Sequence, residues 1–266
     1  MADIVFISHG GGPLPLLGDP THHQLVETLT QITKRLKKPK AIIVVSAHWE
    51  AHHVSLTHQE HPGLLYDYYG FPDESYTFKY PCNGLPELAE KIVGTLQKAD
   101  ITTELEDERG LDHGVFVPLM IMYPEADIPC IQVSLVKGLD PDLHIRIGEI
   151  IADCVDEDVL IIGSGFSFHN MRAFFTKEDL AHQQMNQSFE DWLMETCSSQ
   201  NMTEEERRAR FQQWQEAPHA RYCHPREEHL LPLHVCYGAA ARACDSVYSL
   251  SILGKQASLY LWSSNI

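Results

Sequence analysis

Short runs of β-branched and other apolar residues alternate along this chain with longer stretches in which apolar residues recur every three or four positions. The short runs predict strands at residues 4–7, 41–45, 101–105, 128–135, 159–163, 247–252 and 258–262. The longer stretches predict helices at residues 22–37, 85–98 and 141–155, and a polar stretch with helical spacing covers residues 178–214. This order predicts an α/β fold with a central, mainly parallel sheet flanked by helices.

The organisation and charge of the chain narrow the classes of protein that fit. No internal repeat, low-complexity segment or linker interrupts the 266 residues, so we expect a single domain over residues 1–266. With 37 acidic and 20 basic residues the net charge is −17, which repels phosphate groups and anionic lipids. We therefore expect no nucleic-acid partner and no membrane partner.

Two further features bear on where the protein resides. The first residues lack the pattern of a signal peptide, and the longest apolar run, residues 115–123, is far shorter than the ~20 residues that cross a bilayer. Seven cysteines, an odd number with no Cys-x-x-Cys pair, fit reduced thiols better than disulfides or a zinc ribbon. Together these features predict a cytoplasmic protein.

Histidine is unusually frequent, with 16 residues against 20 lysines and arginines together. His9 and His48 each directly follow a predicted strand, and ligands bind open α/β sheets at the carboxyl ends of strands. One histidine in such a place is more often structural, but two on adjacent parallel strands favour a shared metal ion. A phosphate-binding loop after His9 is the rival interpretation, although the Walker lysine and the dinucleotide spacing are both missing.

A third histidine, His169, also follows a predicted strand, in the sequence Gly-Ser-Gly-Phe-Ser-Phe-His. Neither Ser164 nor Ser167 has a glycine both two residues before and two residues after it, as a nucleophile elbow requires. The segment therefore disfavours a serine hydrolase. It also makes coincidence a weak explanation for the position of the three histidines.

His113 precedes the apolar run at residues 115–123 and has two interpretations. Asp112 beside it fits a simple helix N-cap. Alternatively, His113 begins the helix, where the helix dipole keeps its imidazole neutral and able to accept a proton. The residues themselves leave both interpretations open.

His229 follows two glutamates at the start of an apolar helix. Two histidines and a carboxylate suit Fe(II), whereas three histidines suit Zn(II). Successive helical residues point ~100° apart, so Glu228 and His229 are not expected to bind one ion together. The spacing does not choose between them.

The remaining polar and aromatic segments have simpler interpretations. We expect surface positions for the histidines at 22, 23, 52, 53, 58 and 61, of which those at 53, 58 and 61 could reach a substrate. Residues 66–80 are strongly aromatic, and either pack on the core or cover an aromatic substrate.

Seven motifs in this order resemble the class III extradiol ring-cleavage dioxygenases, specifically the 4,5-DOPA dioxygenase branch, over nearly the whole chain. They are Ser-His-Gly at residues 8–10, Ser-Ala-His-Trp at 46–49, Asp-Tyr-Tyr-Gly-Phe-Pro at 67–72, Leu-Asp-His-Gly at 111–114, Tyr-Pro-Glu-Ala-Asp-Ile-Pro at 123–129, His-Asn at 169–170 and Glu-His-Leu-Leu-Pro-Leu at 228–233. Each motif is weak alone, but the set is highly specific.

The resemblance implies a sandwich-like α/β domain with one divalent metal ion, which is Fe(II) for activity or Zn(II) as isolated. It implies His9, His48 and His229 as ligands. His169 becomes a fourth ligand in a zinc form or an acid/base in the iron form, and His113 a second catalytic histidine. The chain departs from the wider class at the third ligand, which is a glutamate in the better-studied ring-cleaving members but matches His229 in the DOPA-type motif. It also has a glycine loop one residue longer than the common form.

The implied reaction opens the ring of a DOPA-like catechol with O2, so the expected partners are a small aromatic diol and O2. His169 would take a catechol proton, and His113 would stabilise charge or donate a proton during O–O cleavage. Two alternatives remain: a zinc hydrolase with Glu228 as base, or a non-catalytic metal-binding protein on the same fold. The sequence predicts neither the ring position nor an oligomeric state.

Overall fold

The computed structural model describes residues 2–176 and 179–263, and within them eight strands form one sheet. The strands are β1 Asp3–Ser8, β2 Ala41–Ala51, β3 Val54–Thr57, β4 Thr103–Glu106, β5 Cys130–Val136, β6 Val159–Gly165, β7 Ser246–Ile252 and β8 Lys255–Trp262. Their order is β4-β3-β5-β2-β6-β1-β8-β7, with parallel pairing for β4–β3, β5–β2, β2–β6 and β6–β1 and antiparallel pairing for the other neighbours. The predicted α/β class with a central, mainly parallel sheet is confirmed.

Helices flank this sheet. In the described ranges they are α1 His23–Arg35, α2 Pro86–Lys98, α3 His113–Met122, α4 Pro141–Cys154, α5 Met171–Phe174, α6 Leu180–Ser198, α7 Glu204–Gln212, α8 Ala220–Cys223 and α9 Leu231–Ala240. The start of α4 follows its sequence signal, because Asp140 accepts a hydrogen bond from the Leu143 N–H and Pro141 is the first helical residue. By contrast, α3 and α9 are mostly apolar and mostly buried.

The central strand β6 shows that α3 and α9 lie on opposite faces of the sheet. Side chains alternate between faces along a strand. The hydroxyl of Ser164 hydrogen-bonds the Gly114 carbonyl in α3, whereas a Cβ on Gly163 would lie 2.4 Å from the Pro232 carbonyl oxygen in α9. Glycine at position 163 therefore lets α9 pack directly on the sheet, and the candidate site lies where the three elements meet.

Two details of the sheet correct the sequence-based picture. The predicted strand at residues 41–45 continues to Ala51, so His48 lies within β2 rather than after it. The pairing of β2 with β5 shifts register between Val45 and Glu50, and this irregularity surrounds His48. In addition, β6 lies between β1 and β2, so the strands of His9 and His48 are parallel but not adjacent.

Other differences concern strands and helix boundaries. The short strand β3 was not predicted: its residues alternate between apolar and polar, but four residues are the shortest run that such a pattern can indicate. Glu178, at which the predicted polar helical stretch begins, lies outside the described residues. The rest of that stretch divides into α6, α7 and a 3-10 turn that begins at Trp214.

Cysteine placement and helix length bear on two other expectations. All seven cysteines are buried and free, as the prediction of reduced thiols requires. Within the part of the chain that the structure describes, no helix is long and apolar enough to cross a membrane.

Candidate metal centre

The five histidines singled out in the sequence lie together at the carboxyl edge of the parallel strands. Each comes from a different segment: the end of β1, the late part of β2, the start of α3, the loop after β6 and the turn before α9. In that order they are His9, His48, His113, His169 and His229. The predicted gathering of histidines at one sheet edge is therefore present, although the sequence separates its outermost members by 220 positions, 229 − 9.

Three of these imidazoles direct their Nε2 atoms to one point. The Nε2 atom of His48 lies 3.0 Å from that of His9 and 3.3 Å from that of His229. Two nitrogens that each bind one tetrahedral ion at about 2.0–2.1 Å lie about 3.3 Å apart. Both distances therefore fit a single ion shared by His48 with His9 and with His229.

Electrostatics keep these three imidazoles neutral. His9 and His229 are 2% and 5% exposed, and burial together with the neighbouring imidazoles holds the pKa of each well below its usual range. Burial and His113 lower the pKa of His48 in the same way. Neutral imidazole is the form that binds metal ions, so the cluster is prepared for a cation rather than for an anion.

Hydrogen bonding fixes which nitrogen of His9 is available. Its Nδ1 lies 3.0 Å from the Ser164 hydroxyl. That hydroxyl donates its own proton to the Gly114 carbonyl, so it accepts from the His9 Nδ1–H. The lone pair of Nε2 is then directed into the cluster, which is the usual arrangement around a metal-binding histidine.

Glu228 contacts both His229 and His169 through their Nδ1 atoms. Its Oε1 atom lies 3.1 Å from Nδ1 of His229 and 3.1 Å from Nδ1 of His169, whose rings stack with centroids 3.4 Å apart. Burial alone would raise the pKa of Glu228, but the hydrogen bond to His169 keeps it below its usual value. Glu228 therefore acts on Nδ1 atoms and leaves both Nε2 atoms to face the cavity.

Asp67 forms the corresponding pair with His113. Its Oδ1 atom accepts hydrogen bonds from Nδ1 of His113 at 2.8 Å and from the His113 backbone N–H at 3.0 Å. Burial opposes ionisation of Asp67, but the contact with His113 holds its pKa below the usual value. The first N–H of α3 is thus capped by Asp67, a residue 46 positions earlier in the chain.

Asp112 occupies the predicted N-cap position, but its side chain does not cap the helix. It accepts hydrogen bonds from Ser46 at 2.7 Å, from Arg109 at 3.3 Å and from Gln132. Ser46 and Arg109 also bind the backbone N–H and carbonyl of His48. Asp112 therefore supports the irregular stretch of β2 that carries His48, and the interpretation of a simple N-cap was wrong.

Potential ligand atoms fall into two neighbouring groups. Those of His113 lie within 4.8 Å of His9 and His48, and those of His169 and Glu228 lie equally close to His229. The two groups meet at the short contact between His48 and His229. The Nε2 atoms of His9, His48 and His229 are the best candidates for one ion, because Nε2 of His48 lies within 3.0–3.3 Å of the other two.

A cavity of about 670 Å³ opens above these histidines. Its floor is the imidazole cluster, and its walls are mainly apolar and aromatic side chains and the glycine loop after β1. Gly10 has a φ of +86°, and a Cβ there would lie 2.7 Å from the ring of His22. His22 itself is buried and accepts a hydrogen bond from the Gly11 N–H, so its predicted surface position was wrong.

The other segments behave partly as expected. Tyr68, Tyr69 and Phe71 of the aromatic stretch line the cavity, whereas Tyr66 and Tyr76 pack beside them. The histidines at 53, 58 and 61 do not line it in the described structure. The aromatic stretch thus serves both as core packing and as a wall of the cavity.

Two site residues were not given their roles by sequence reasoning. Asp67 lies in a motif of the resemblance but was assigned no function, and Ser164 was weighed only as a nucleophile. Their partners His113 and His9 are 46 and 155 positions away in the chain. The one local feature of the sequence that could have indicated a role for Asp67 is its position as a carboxylate in a strongly aromatic stretch.

Several known proteins are similar to this chain over most of its length. The family model described as the catalytic LigB subunit of aromatic ring-opening dioxygenase matches residues 3–256. The chain is 36% identical to the "Dioxygenase tasH" of Hapsidospora irregularis over 100% of this chain and 86% of that protein. It is 40% identical to the "4,5-DOPA dioxygenase extradiol" of Beta vulgaris over 88% and 85% of the two chains. A solved structure, "uncharacterized protein JW3007 from Escherichia coli K12", superposes with a TM-score of 0.76 at 26% identity and covers 99% of this chain and 100% of that one.

Proposed function

Since the chain belongs to the family of the catalytic LigB subunit of aromatic ring-opening dioxygenases, within the class III extradiol dioxygenases, we propose that it opens the ring of a DOPA-like catechol with O2. Membership of this family makes the protein a ring-cleavage dioxygenase. The catechol, the metal and the residue roles are the proposal. The observation that carries it is the convergence of three neutral imidazoles on the floor of an aromatic cavity.

We assign the metal to His9, His48 and His229. Three imidazole donors suit Fe(II), which we propose for activity, and Zn(II), which we expect in protein isolated without added iron. A divalent ion held by these three imidazoles would supply Lewis acidity for the reaction of a diol with O2.

His169 is the proposed general base. Its Nδ1 faces Glu228 at 3.1 Å, so Nε2 is the atom that takes a proton from a catechol hydroxyl. The carboxylate of Glu228 then stabilises the imidazolium that forms. The alternative role of His169 as a fourth ligand in a zinc form uses the same Nε2 atom.

His113 is the proposed second catalytic histidine. Asp67 holds its Nδ1 at 2.8 Å, which orients the ring and leaves Nε2 as the ring nitrogen available to a substrate. Its Nε2 would then stabilise negative charge or donate a proton while the O–O bond breaks. Both atoms of O2 enter the product, a ring carbon–carbon bond beside the diol breaks, and a semialdehyde of the muconate type forms.

The geometry favours this reaction over a zinc hydrolase with Glu228 as base. A base must reach the proton that it removes, within ~3 Å or through one water. The Oε1 atom of Glu228 is instead engaged with the Nδ1 atoms of His169 and His229. The seven buried thiols suit a reducing compartment, and the cytoplasm is therefore the location that we propose.

The decisive experiment is anaerobic loading with Fe(II), followed by O2 and a panel of catechols, with a yellow ring-opened product as the readout. His169→Ala should lower turnover by about 10²–10⁴-fold while metal content stays unchanged. His23→Ala, at an exposed histidine outside the cavity, is the matched control and should retain full turnover. Unchanged turnover in His169→Ala would contradict the assigned base. Ester or amide cleavage with Zn(II) and no need for O2 would instead support the hydrolase.

A further inference from the structure

The cavity above the histidines has two chemically different parts. Its floor is polar and carries the imidazoles, whereas its outer part is apolar. We call this outer part the apolar mouth, which is formed by Leu14, Phe71, Met171, Phe174, Phe175 and Leu253. We propose that the catechol bound here carries an uncharged, apolar ring substituent and that the apolar mouth binds it. This inference rests on the ring cleavage in the proposed function and narrows its catechol: DOPA carries an ammonium and a carboxylate on its substituent, so we expect it to be a poorer substrate here than an apolar analogue.

Charge is the first observation behind this proposal. Within residues 2–176 and 179–263, no lysine, arginine, aspartate or glutamate lines the cavity. A carboxylate or ammonium group on the substituent would therefore lie against an apolar mouth without an ionic partner and would lose part of its hydration there. The carboxylates nearest the floor, Asp67 and Glu228, would repel an anionic substituent further.

The hydroxyl groups of the lining do not replace a charged partner. The Thr21 hydroxyl donates to the carboxylate of Asp19, and the Tyr68 hydroxyl donates to the Ser75 carbonyl at 2.5 Å. Both donors are thus already used within the protein. The third hydroxyl of the described lining belongs to Tyr69, which is 91% exposed and so faces water rather than the interior of the cavity. Apart from Tyr69, an anionic substituent would have to break one of the two hydrogen bonds to gain a hydroxyl donor, whereas an apolar substituent leaves them intact.

Size and exposure are the second observation. A volume of about 670 Å³ falls within the ~300–1,000 Å³ of pockets that hold drug-sized ligands, so it leaves room beyond a single ring. Met171 is 54% exposed and Phe175 is 84% exposed, although both are large apolar side chains. An apolar substituent would cover part of this surface, and burial of apolar area is favourable.

Two residues of the apolar mouth, Met171 and Phe174, lie in a helix that follows the proposed base His169 directly in the sequence. Met171 begins α5 two residues after His169, and Phe174 ends this helix. A substituent held against α5 would therefore fix the ring relative to the proposed base. We therefore expect catechols with different substituents to differ in kcat/KM, and we expect substitutions at the apolar mouth to leave the metal content of the protein unchanged.

Catechols with matched substituents test the proposal. The panel comprises 4-methylcatechol, 4-propylcatechol, dopamine as the cationic counterpart of the propyl compound, and 3-(3,4-dihydroxyphenyl)propanoate as an anionic one. With Fe(II)-loaded protein, kcat/KM should rise about three- to fourfold per added methylene and be at least tenfold lower for each charged compound. Equal or higher kcat/KM for a charged compound would overturn the inference.

Binding measured without turnover separates this inference from the proposed function. Zn(II)-loaded protein is titrated with the same compounds under anaerobic conditions, and the order of Kd should match the order above. If this order is found but no compound is cleaved with Fe(II) and O2, the proposed function fails and the inference stands. If cleavage occurs but Kd favours the charged compounds, the inference fails alone.

A substitution at the apolar mouth provides the second arm. Met171→Arg places a cation beside the cavity at a half-exposed position, so it should raise the preference for the anionic over the propyl compound about two- to fivefold. Met171→Gln is the control of similar length without charge, and it should leave that ratio near the wild-type value. An unchanged ratio in Met171→Arg would show that the substituent lies elsewhere.

Discussion

At the scale of single residues, each histidine of the site is controlled by the group that holds its Nδ1 atom. Ser164, Glu228 and Asp67 supply these partners. Two of the partners are carboxylates that also contact a second histidine, whereas Ser164 holds His9 alone. The hydroxyl of Ser164 is therefore the simplest place to test whether hydrogen bonds outside the cluster prepare the proposed metal ligands.

Replacing Ser164 with alanine should weaken metal binding without removing a ligand. His9 would lose the acceptor that fixes its tautomer and ring orientation, and loss of such a partner typically costs about 10- to 100-fold in metal affinity. Competition between the protein and a chromophoric chelator for Zn(II) measures the change. Ser134→Ala, which removes a buried hydroxyl from β5, should bind Zn(II) like the wild type. Equal affinity in the two variants would refute the role of Ser164.

A buried carboxyl group outside the site gives the stability of the protein a pH dependence. Glu190 in α6 is 3% exposed and accepts a hydrogen bond of 2.5 Å from Ser258. Burial raises its pKa from 4.5 to about 7. The folded state therefore holds this proton more tightly than the unfolded state does. Its stabilising contribution is complete below about pH 4.5 and is lost as the pH rises through about 7.

Glu190→Gln should remove this part of the pH dependence. Between pH 5 and pH 8 the wild type should lose up to ~3 kcal/mol of unfolding free energy that the variant retains. Urea unfolding at several pH values, with the metal state held constant, measures the difference. Glu195→Gln alters an exposed carboxylate of the same helix and should follow the wild type. Parallel pH profiles for wild type and Glu190→Gln would contradict the raised pKa.

At the scale of elements, α4 and α9 pack with their backbones in close contact. A Cβ on Gly238 would lie 2.0 Å from the Ile145 carbonyl oxygen, and one on Gly148 would lie 2.0 Å from that of Val235. The turn that carries His229 immediately precedes α9. The position of one proposed ligand therefore depends on how closely two helices approach.

Gly238→Ala should destabilise the protein although alanine is the better helix former. The added methyl group would force α9 away from α4, and such overpacking costs about 1–3 kcal/mol or more. Gly94→Ala in α2 is the matched control, because nothing lies within 4 Å of the added Cβ, and it should be neutral or stabilising by ~1 kcal/mol. Urea unfolding of both variants tests the difference, and equal stabilities would argue against tight packing.

The same scale explains what the sequence could predict. Apolar runs located β1, β5 and β6 well, because buried parallel strands are rich in β-branched and other apolar residues. The late part of β2 contains polar residues, of which Ser46 binds Asp112 of another segment, so local hydropathy predicted an early end. The insertion of β6 between β1 and β2 depends on pairing between distant segments, which no local pattern encodes.

For the candidate site, the sequence predicted residue types better than contacts. The five histidines were singled out by their positions after strands and before helices and by the family motifs. The pairing of Asp67 with His113 and of Ser164 with His9 requires the folded topology, because each pair joins separate elements. The predicted exposure of His22 was wrong for a similar reason, since the glycine loop folds over it.

At the scale of the whole molecule, the acidic charge and the cavity act in the same direction. The net charge is −17, and the described lining of the cavity provides no cation to offset it. Long-range potential therefore does not favour an anionic substrate. A divalent ion at the histidines would be the strongest positive charge near the cavity, so it would attract the diol end of the proposed substrate, and the apolar mouth would select the substituent.

The proposed ion should also stabilise the whole fold, because its ligands join β1, β2 and the turn before α9. Only the folded chain brings them together, and an ion at 100 times its Kd adds about 2.7 kcal/mol. For a chain of this size that corresponds to a rise in Tm of roughly 5–10 °C, measured by calorimetry before and after chelation and after return of Zn(II). His229→Ala should lose this response and the exposed-site variant His23→Ala should keep it. An identical Tm for metal-free and Zn(II)-loaded wild type would mean that the three imidazoles do not share an ion.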